Sequence, residues 1–298
     1  MRFGLLINES RGPDALVKMR DRVARGADDG FSSAWVSNIF GLDALTALAV
    51  IGSQVPGIEL GTGVVPTYPR HPAVLAQQAL TVNTAVDGRL ALGIGLSHQM
   101  VIEGMYGYSF DKPARHMREY LSVLVPLVRG EKVSFKGETL TANLGLSTPG
   151  TGEMPVLIAA LAPRMLKLAG EVADGTVLWM TGPKTVAEHV VPAITEAARE
   201  AGRPAPRIVC TLPICVTDDA EAARADASTK LAIYGQLPSY RAMLDREGVE
   251  GPGGVAVVGD EDAVSAQLEE LARIGVTDFV AAEYSRDGRT REFLKTLL

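Results

Sequence analysis

Eight short apolar runs recur along this 298-residue chain with helically patterned segments between them, and that alternation constrains the fold more than any single motif. The runs lie at 3–7, 33–36, 58–64, 90–94, 156–160, 176–179, 208–216 and 278–282. Several are continuously apolar, as strands covered on both faces must be. The segments 14–28, 43–51, 73–85, 116–128, 163–171, 185–201 and 262–274 instead carry helical spacing and charged faces. Eight strands alternating with helices over this length predict an α/β fold, a closed (β/α)8 TIM-type barrel rather than an open sheet. Two stretches interrupt the rhythm. Residues 131–152 are rich in Thr, Gly and Ser and include the hairpin-like VSFKGETL, and residues 218–251 hold two helix-like runs, at 220–233 and 240–247, in place of one short crossover. Both are expected as insertions near the C-terminal mouth of one domain covering residues 1–298.

Composition narrows the function classes. With 47 % hydrophobic and 21 % charged residues, the chain has the balance of a globular protein with a substantial core. A formal net charge of -6 and a pI of about 5.4 leave no basic face for a phosphate backbone, so nucleic acid is not an expected partner. Met1 runs directly into the first apolar run without a signal-peptide pattern, and no stretch reaches the roughly 18–20 unbroken apolar residues of a membrane span. A cytoplasmic protein is expected. Cys210 and Cys215 fall on one strand-like run and should point to opposite faces, so they are read as reduced core residues. No His or Cys cluster completes a metal site.

Candidate chemistry gathers where the expected strands end. The segment from Leu60 to Pro72 (LGTGVVPTYPRHP) ends a strand in paired glycines and feeds a stiff loop capped by a helix, and a merely bulged strand end would read the same way. The glycines at Gly93 and Gly95 lack the third glycine and the immediate helix of a dinucleotide fingerprint, but suit close approach of a flat ligand. His98 follows strand four and is a ligand-contact candidate, with a solvated loop residue as the plain alternative. His71 reads as a cap, His116 and His189 fall inside helices, and Arg115 with Glu119 is most simply a helix-surface pair. Ala160, Leu161, Ala162, Pro163 and Arg164 join strand five to a helix start, which suits a phosphate or an ordinary connection. Trp179 and Met180 end strand six and Asn38 follows strand two, where they could wall a flat ring or simply pack. No catalytic triad, carboxylate pair or phosphate-binding Lys loop is present, a poverty of acid-base groups compatible with hydride chemistry carried by a cofactor.

Three ordered motifs resemble the luciferase-like monooxygenase superfamily: Gly61-Thr-Gly63-Val-Val-Pro with Arg70-His-Pro72-Ala and Gln77; Asp87-Gly-Arg89-Leu-Ala-Leu-Gly93-Ile-Gly95; and Leu166 to Gly175 (LKLAGEVADG). Within it the chain looks most like the stand-alone oxidoreductases that use the deazaflavin coenzyme F420. The resemblance implies a TIM-like barrel, usually a homodimer, with the ring against a bulge and cis peptide that map to Gly63 and Val64. It also implies a cofactor phosphate site at Ala160, Leu161, Ala162, Pro163 and Arg164, where alanines stand in place of the glycines of many relatives. Asn38, Gly95, His98, Trp179 and Met180 complete the expected cofactor contacts. Relatives often carry a His or Asp after strand two and a Glu after strand four. Here Asn38 and His98 occupy those places, which makes His98 the candidate proton carrier and Asn38 a hydrogen-bonding group. The implied function is hydride transfer between F420 and a small organic substrate. An FMN-dependent monooxygenase fed by a separate reductase, or a barrel that binds a ligand without catalysis, are the alternatives.

Overall fold

The computed structural model describes residues 1–7, 12–148, 153–285 and 287–298. Eight strands form the framework: β1 (Arg2–Leu6), β2 (Ser33–Val36), β3 (Glu59–Thr62), β4 (Leu90–Gly95), β5 (Val156–Ile158), β6 (Gly175–Trp179), β7 (Arg207–Val216) and β8 (Asp278–Glu283). Each pairs in parallel with its neighbours in chain order. The pairing of Arg2 with Asp278 through Leu5 with Ala281 joins β1 to β8 and closes the ring. The expected (β/α)8 barrel is therefore present.

Helices cover the outside: α1 (Ala15–Asp28), α2 (Ala44–Gly52), α3 (Pro72–Ala85), α4 (Pro113–Val128), α5 (Pro163–Glu171), α6 (Val191–Glu200), α7 (Glu261–Arg273) and α8 (Arg289–Lys295). Their starts follow local chemistry. The Asp43 and Asp260 carboxylates accept from Thr46 N and Ala263 N as N-caps, and Pro stands in the first turn of α3, α4 and α5, where its missing N–H costs nothing. The expected single helix over 185–201 is instead a short turn, Pro183–Thr185, a π-helical stretch, Val186–Val190, and then α6. Pro192 explains the difference, since it cannot donate to the carbonyl four residues upstream and the ladder widens before it.

Both insertions fold as separate excursions. The first contains an antiparallel hairpin, Val133–Lys136 with Thr141–Leu144; residues 149–152 of that expected insertion lie outside the described residues. The reading of Arg115 and Glu119 as a surface pair is corrected here. Glu119 is buried and accepts from Glu138 N, Thr139 N, Thr139 Oγ1 and Leu140 N at 2.6–3.2 Å, while Arg115 pairs with Glu138. Burial disfavours the Glu119 charge, but the hydrogen bonds from the hairpin turn outweigh it and hold the carboxyl below its ordinary value. The second excursion carries helices Ala220–Lys230 and Pro238–Glu247; the first stops short of its expected end at 233, and a 3₁₀ turn, Ala232–Gly235, follows. Cys210 and Cys215 are free and buried. No helix among the described residues is long and apolar enough to cross a membrane.

The barrel interior is packed in two levels. At the strand starts, Arg207 bonds Glu59 at 2.5 and 3.1 Å and Asp278 at 2.7 and 3.0 Å. Above this floor, Trp35 lies 5.6 Å from the Arg207 guanidinium and packs with Ala91, Leu157, Val177, Val209 and Val280. Leu6 and Val64 pack against this cluster. Trp35 fits because Gly61 has no side chain: a Cβ there would lie 2.3 Å from the indole Cε3. Gly61→Ala is expected to lower stability by about 1–3 kcal/mol, the cost of overpacking a filled core. Denaturant unfolding reads this, and Trp35→Leu in the same protein should recover part of the loss. Fully additive losses would show that the two residues do not share this space.

Candidate active site at the barrel mouth

The C-terminal ends of β2, β3 and β4 lie side by side, and β3 is irregular there. Leu60 and Gly61 pair with Leu90 and Ala91, whereas Val65 and Pro66 pair with Ile94 and Gly95. Three residues, 62–64, thus oppose two, 92–93, which is a β-bulge. The expected unbroken strand over 58–64 is accordingly split, and the Gly63–Val64 peptide is cis, as the motif implied. Thr62 closes the gap: its Oγ1 accepts from Gly93 N at 2.9 Å and donates to Gly93 O at 2.7 Å. Only glycine fits at 93, since a Cβ would lie 2.0 Å from the Thr62 carbonyl oxygen. Gly63 is open by contrast, with Val177 and Trp35 atoms no nearer than 3.8 and 3.9 Å to an added Cβ. The bulge offers partly exposed main chain over an apolar floor, a surface against which a flat ring can lie.

Asn38 follows β2. Its Oδ1 accepts from Ala44 N at 2.9 Å, which fixes the amide and leaves Nδ2 as its donor group. His98 follows β4, after Ser97 in left-handed backbone (φ 61°). Its carbonyl accepts from Val101 N and Ile102 N and so starts the short helix Gln99–Gly104, while the half-buried imidazole makes no hydrogen bond among the described residues. Burial holds the imidazole below its ordinary pKa, so it is neutral at pH 7.

The segment after β5 is placed differently from its sequence reading in one respect. Ala160 is fully buried and its N–H reaches Thr176 Oγ1 at 3.3 Å, so the donors at this helix start are Leu161, Ala162 and Arg164. Arg164 is exposed in the first turn of α5, and the Ala162 N-cap supplies no side-chain oxygen. His189 Nε2 donates to Leu161 O at 2.7 Å and steadies the segment. Gly95 is buried; Trp179 borders the mouth; Met180 is fully buried in the outer core beneath it. His71 is the N-cap of α3, accepting from Ala73 N through Nδ1 and lying 3.2 Å from Thr141 O through Nε2, the cap role expected for it. His116 is stacked on Tyr68 at 3.9 Å, and burial drives its pKa to about 4.

Several site residues escaped sequence reasoning. Thr62 and Thr176 act through hydroxyl-to-backbone bonds across strands, and Tyr234 and Tyr240 reach the mouth from the second excursion. Only the T in GTG carried a signal for any of these. No group of His, Cys, Asp and Glu among the described residues could hold a metal ion.

The sequence profile of the family described as luciferase-like monooxygenase matches residues 1–278. A 5,10-methylenetetrahydromethanopterin reductase of Methanolobus tindarius is 27% identical over 310 aligned residues, covering 94% of each chain. Among solved structures, the coenzyme F420 dependent tetrahydromethanopterin reductase of Methanopyrus kandleri superposes with a TM-score of 0.83 at 23% identity, covering 99% of this chain and 97% of that one. An F420-dependent secondary alcohol dehydrogenase in complex with an F420-acetone adduct gives 0.81 at 20% identity, covering 100% and 98%.

Thr62→Val tests the lock at the bulge. The isosteric change leaves the buried Gly93 N–H without its acceptor and is expected to cost about 1–3 kcal/mol, whereas Thr62→Ser should retain most of the stability. A loss in Thr62→Ser with none in Thr62→Val would show that the methyl group, not the hydroxyl, holds the strands.

Proposed function

The chain belongs to the luciferase-like monooxygenase family, and from that premise we propose that it is an oxidoreductase moving a hydride between the deazaflavin coenzyme F420 and a small organic substrate. The observation that carries this reading is the open bulge at Gly63–Val64, which presents bare main chain over the Trp35 and Val177 floor and fits a flat ring. The named F420 dependence of two structural neighbours supports the choice of ring. When bound, F420 supplies a ring carbon that takes or gives a hydride. The protein's own residues do the rest. Leu161, Ala162 and Arg164 would hold the cofactor phosphate through N–H groups and a guanidinium at the start of α5. Asn38 Nδ2 donates to a substrate oxygen and orients it. His98, neutral at pH 7, takes the proton of a substrate hydroxyl during oxidation and returns it in the reverse direction. The same reading carries a homodimer and a cytoplasmic location; the exposed Ile39, Phe40 and Val74 are apolar side chains that a second subunit would cover.

Two variants separate binding from chemistry. Arg164→Ala is expected to weaken F420 binding by about 1.5–3 kcal/mol, the scale of a charge-assisted hydrogen bond. His98→Gln should keep that affinity and lower turnover by about 10² to 10⁴. In the wild type, oxidation should slow as pH falls through a pKa below 6.5, where the imidazole becomes charged, and the variant should lose that limb. Full turnover with an unchanged pH profile in His98→Gln would remove it from the reaction.

A further inference from the structure

Tyr234 and Tyr240 belong to the second excursion, yet with two strand-end residues they form one line of four rings. The His98 imidazole lies 5.5 Å from the Tyr240 ring at 58°, Tyr240 lies 5.4 Å from Tyr234 at 82°, and Tyr234 meets the Trp179 indole at 5.5 Å and 76°. These are the separations and tilts of favourable edge-on aromatic packing. The line begins after β4 and ends on β6, so it closes the side of the mouth where β5 ends.

The wall is held in place from behind. Tyr240 is carried by the helix Pro238–Glu247, whose last residue accepts from Thr185 N at 2.8 Å, Thr185 Oγ1 at 2.7 Å and Lys184 N at 3.1 Å, just after β6. Gly182 lets this carboxylate in, since a Cβ there would lie 2.4 Å from the carboxyl carbon. Arg241 ties the same helix to Val249 O and Glu250 O at 2.8 and 2.6 Å. None of the four rings has an ion-pair partner or a cation over its face among the described residues. An anion placed against these four rings would lose its water and meet neutral groups, such as the buried and unpartnered Trp179 Nε1, in place of a cation.

Building on the F420 reading above, we propose that Tyr240 and Tyr234 are specificity-determining residues. They select an uncharged, compact substrate with one carbonyl or hydroxyl oxygen, its hydrocarbon body against the rings and its oxygen at His98. The rings supply apolar contact without charge, and the clamped helix limits size.

Cyclohexanone and cyclohexanecarboxylate share a ring and differ in charge, so their binding to the whole protein, with and without F420, tests this by calorimetric titration. Wild type should bind the ketone saturably and the carboxylate about tenfold more weakly or worse. Tyr240→Leu and Tyr234→Leu should each weaken ketone binding by about tenfold, Tyr240→Phe by less than about twofold, with F420 affinity within about twofold of wild type in all three. Equal binding of ketone and carboxylate, no saturable ketone binding, or Leu variants that match wild type would overturn the proposal. If a Leu variant does not fold, the ketone-carboxylate contrast in wild type decides. Failure of F420 to bind the wild type would overturn the F420 reading instead, and the cofactor-free titrations would still judge the wall.

Discussion

Where β3 parts from β4, the Thr62 hydroxyl takes over the pairing that the main chain gives up, bonding both the N–H and the carbonyl of Gly93. That substitution lets one extra residue enter β3 without leaving a buried donor unpaired. Everything placed at the mouth depends on it. The cis Gly63–Val64 peptide, the apolar contact of Val64 with the interior cluster, and the rejoining of Val65 and Pro66 to Ile94 and Gly95 all follow from where this exchange occurs.

The interior below works as a foundation because it is full. Arg207, Glu59 and Asp278 close the strand starts with a charged cluster; burial works against the guanidinium charge, and the two carboxylates outweigh it. Trp35 then fills the middle, so the interior is packed at this level and the candidate site lies at the C-terminal ends of the strands. The barrel is thus asymmetric: ion pairing gives a rigid base, while loops and one bulge give an open, weakly polar top.

Much of the barrel was legible in the sequence because its strands are buried on both faces and appear as apolar runs; all eight expected strands exist, with ends displaced by a few residues. The paired glycines at Gly61 and Gly63 marked the irregular strand end: Trp35 fills the space a Cβ at Gly61 would need, and Gly63 leaves the main chain of the bulge bare. Other parts were hidden for physical reasons. Glu119 read as a surface partner of Arg115 because helical spacing does not show that a distant hairpin turn donates to it. Tyr234 and Tyr240 were not singled out because their role depends on how the excursion folds back, held by Glu247 across a long sequence separation. Ala160 resembled a phosphate donor until Thr176, on the neighbouring strand, proved to accept its N–H.

The site is built to position more than to react. On the reading proposed above, the neutral His98 imidazole, the oriented Asn38 amide and the bare main chain at the bulge position the reactants, and the difficult electron movement would fall to the bound ring. The identity of that ring is the central claim. Parallel titrations of the purified protein with F420 and with FMN, followed by cofactor fluorescence, address it most directly. F420 saturating at one per chain, with FMN at least about tenfold weaker, is the expected result. FMN binding as tightly as F420, or F420 failing to saturate, would contradict it.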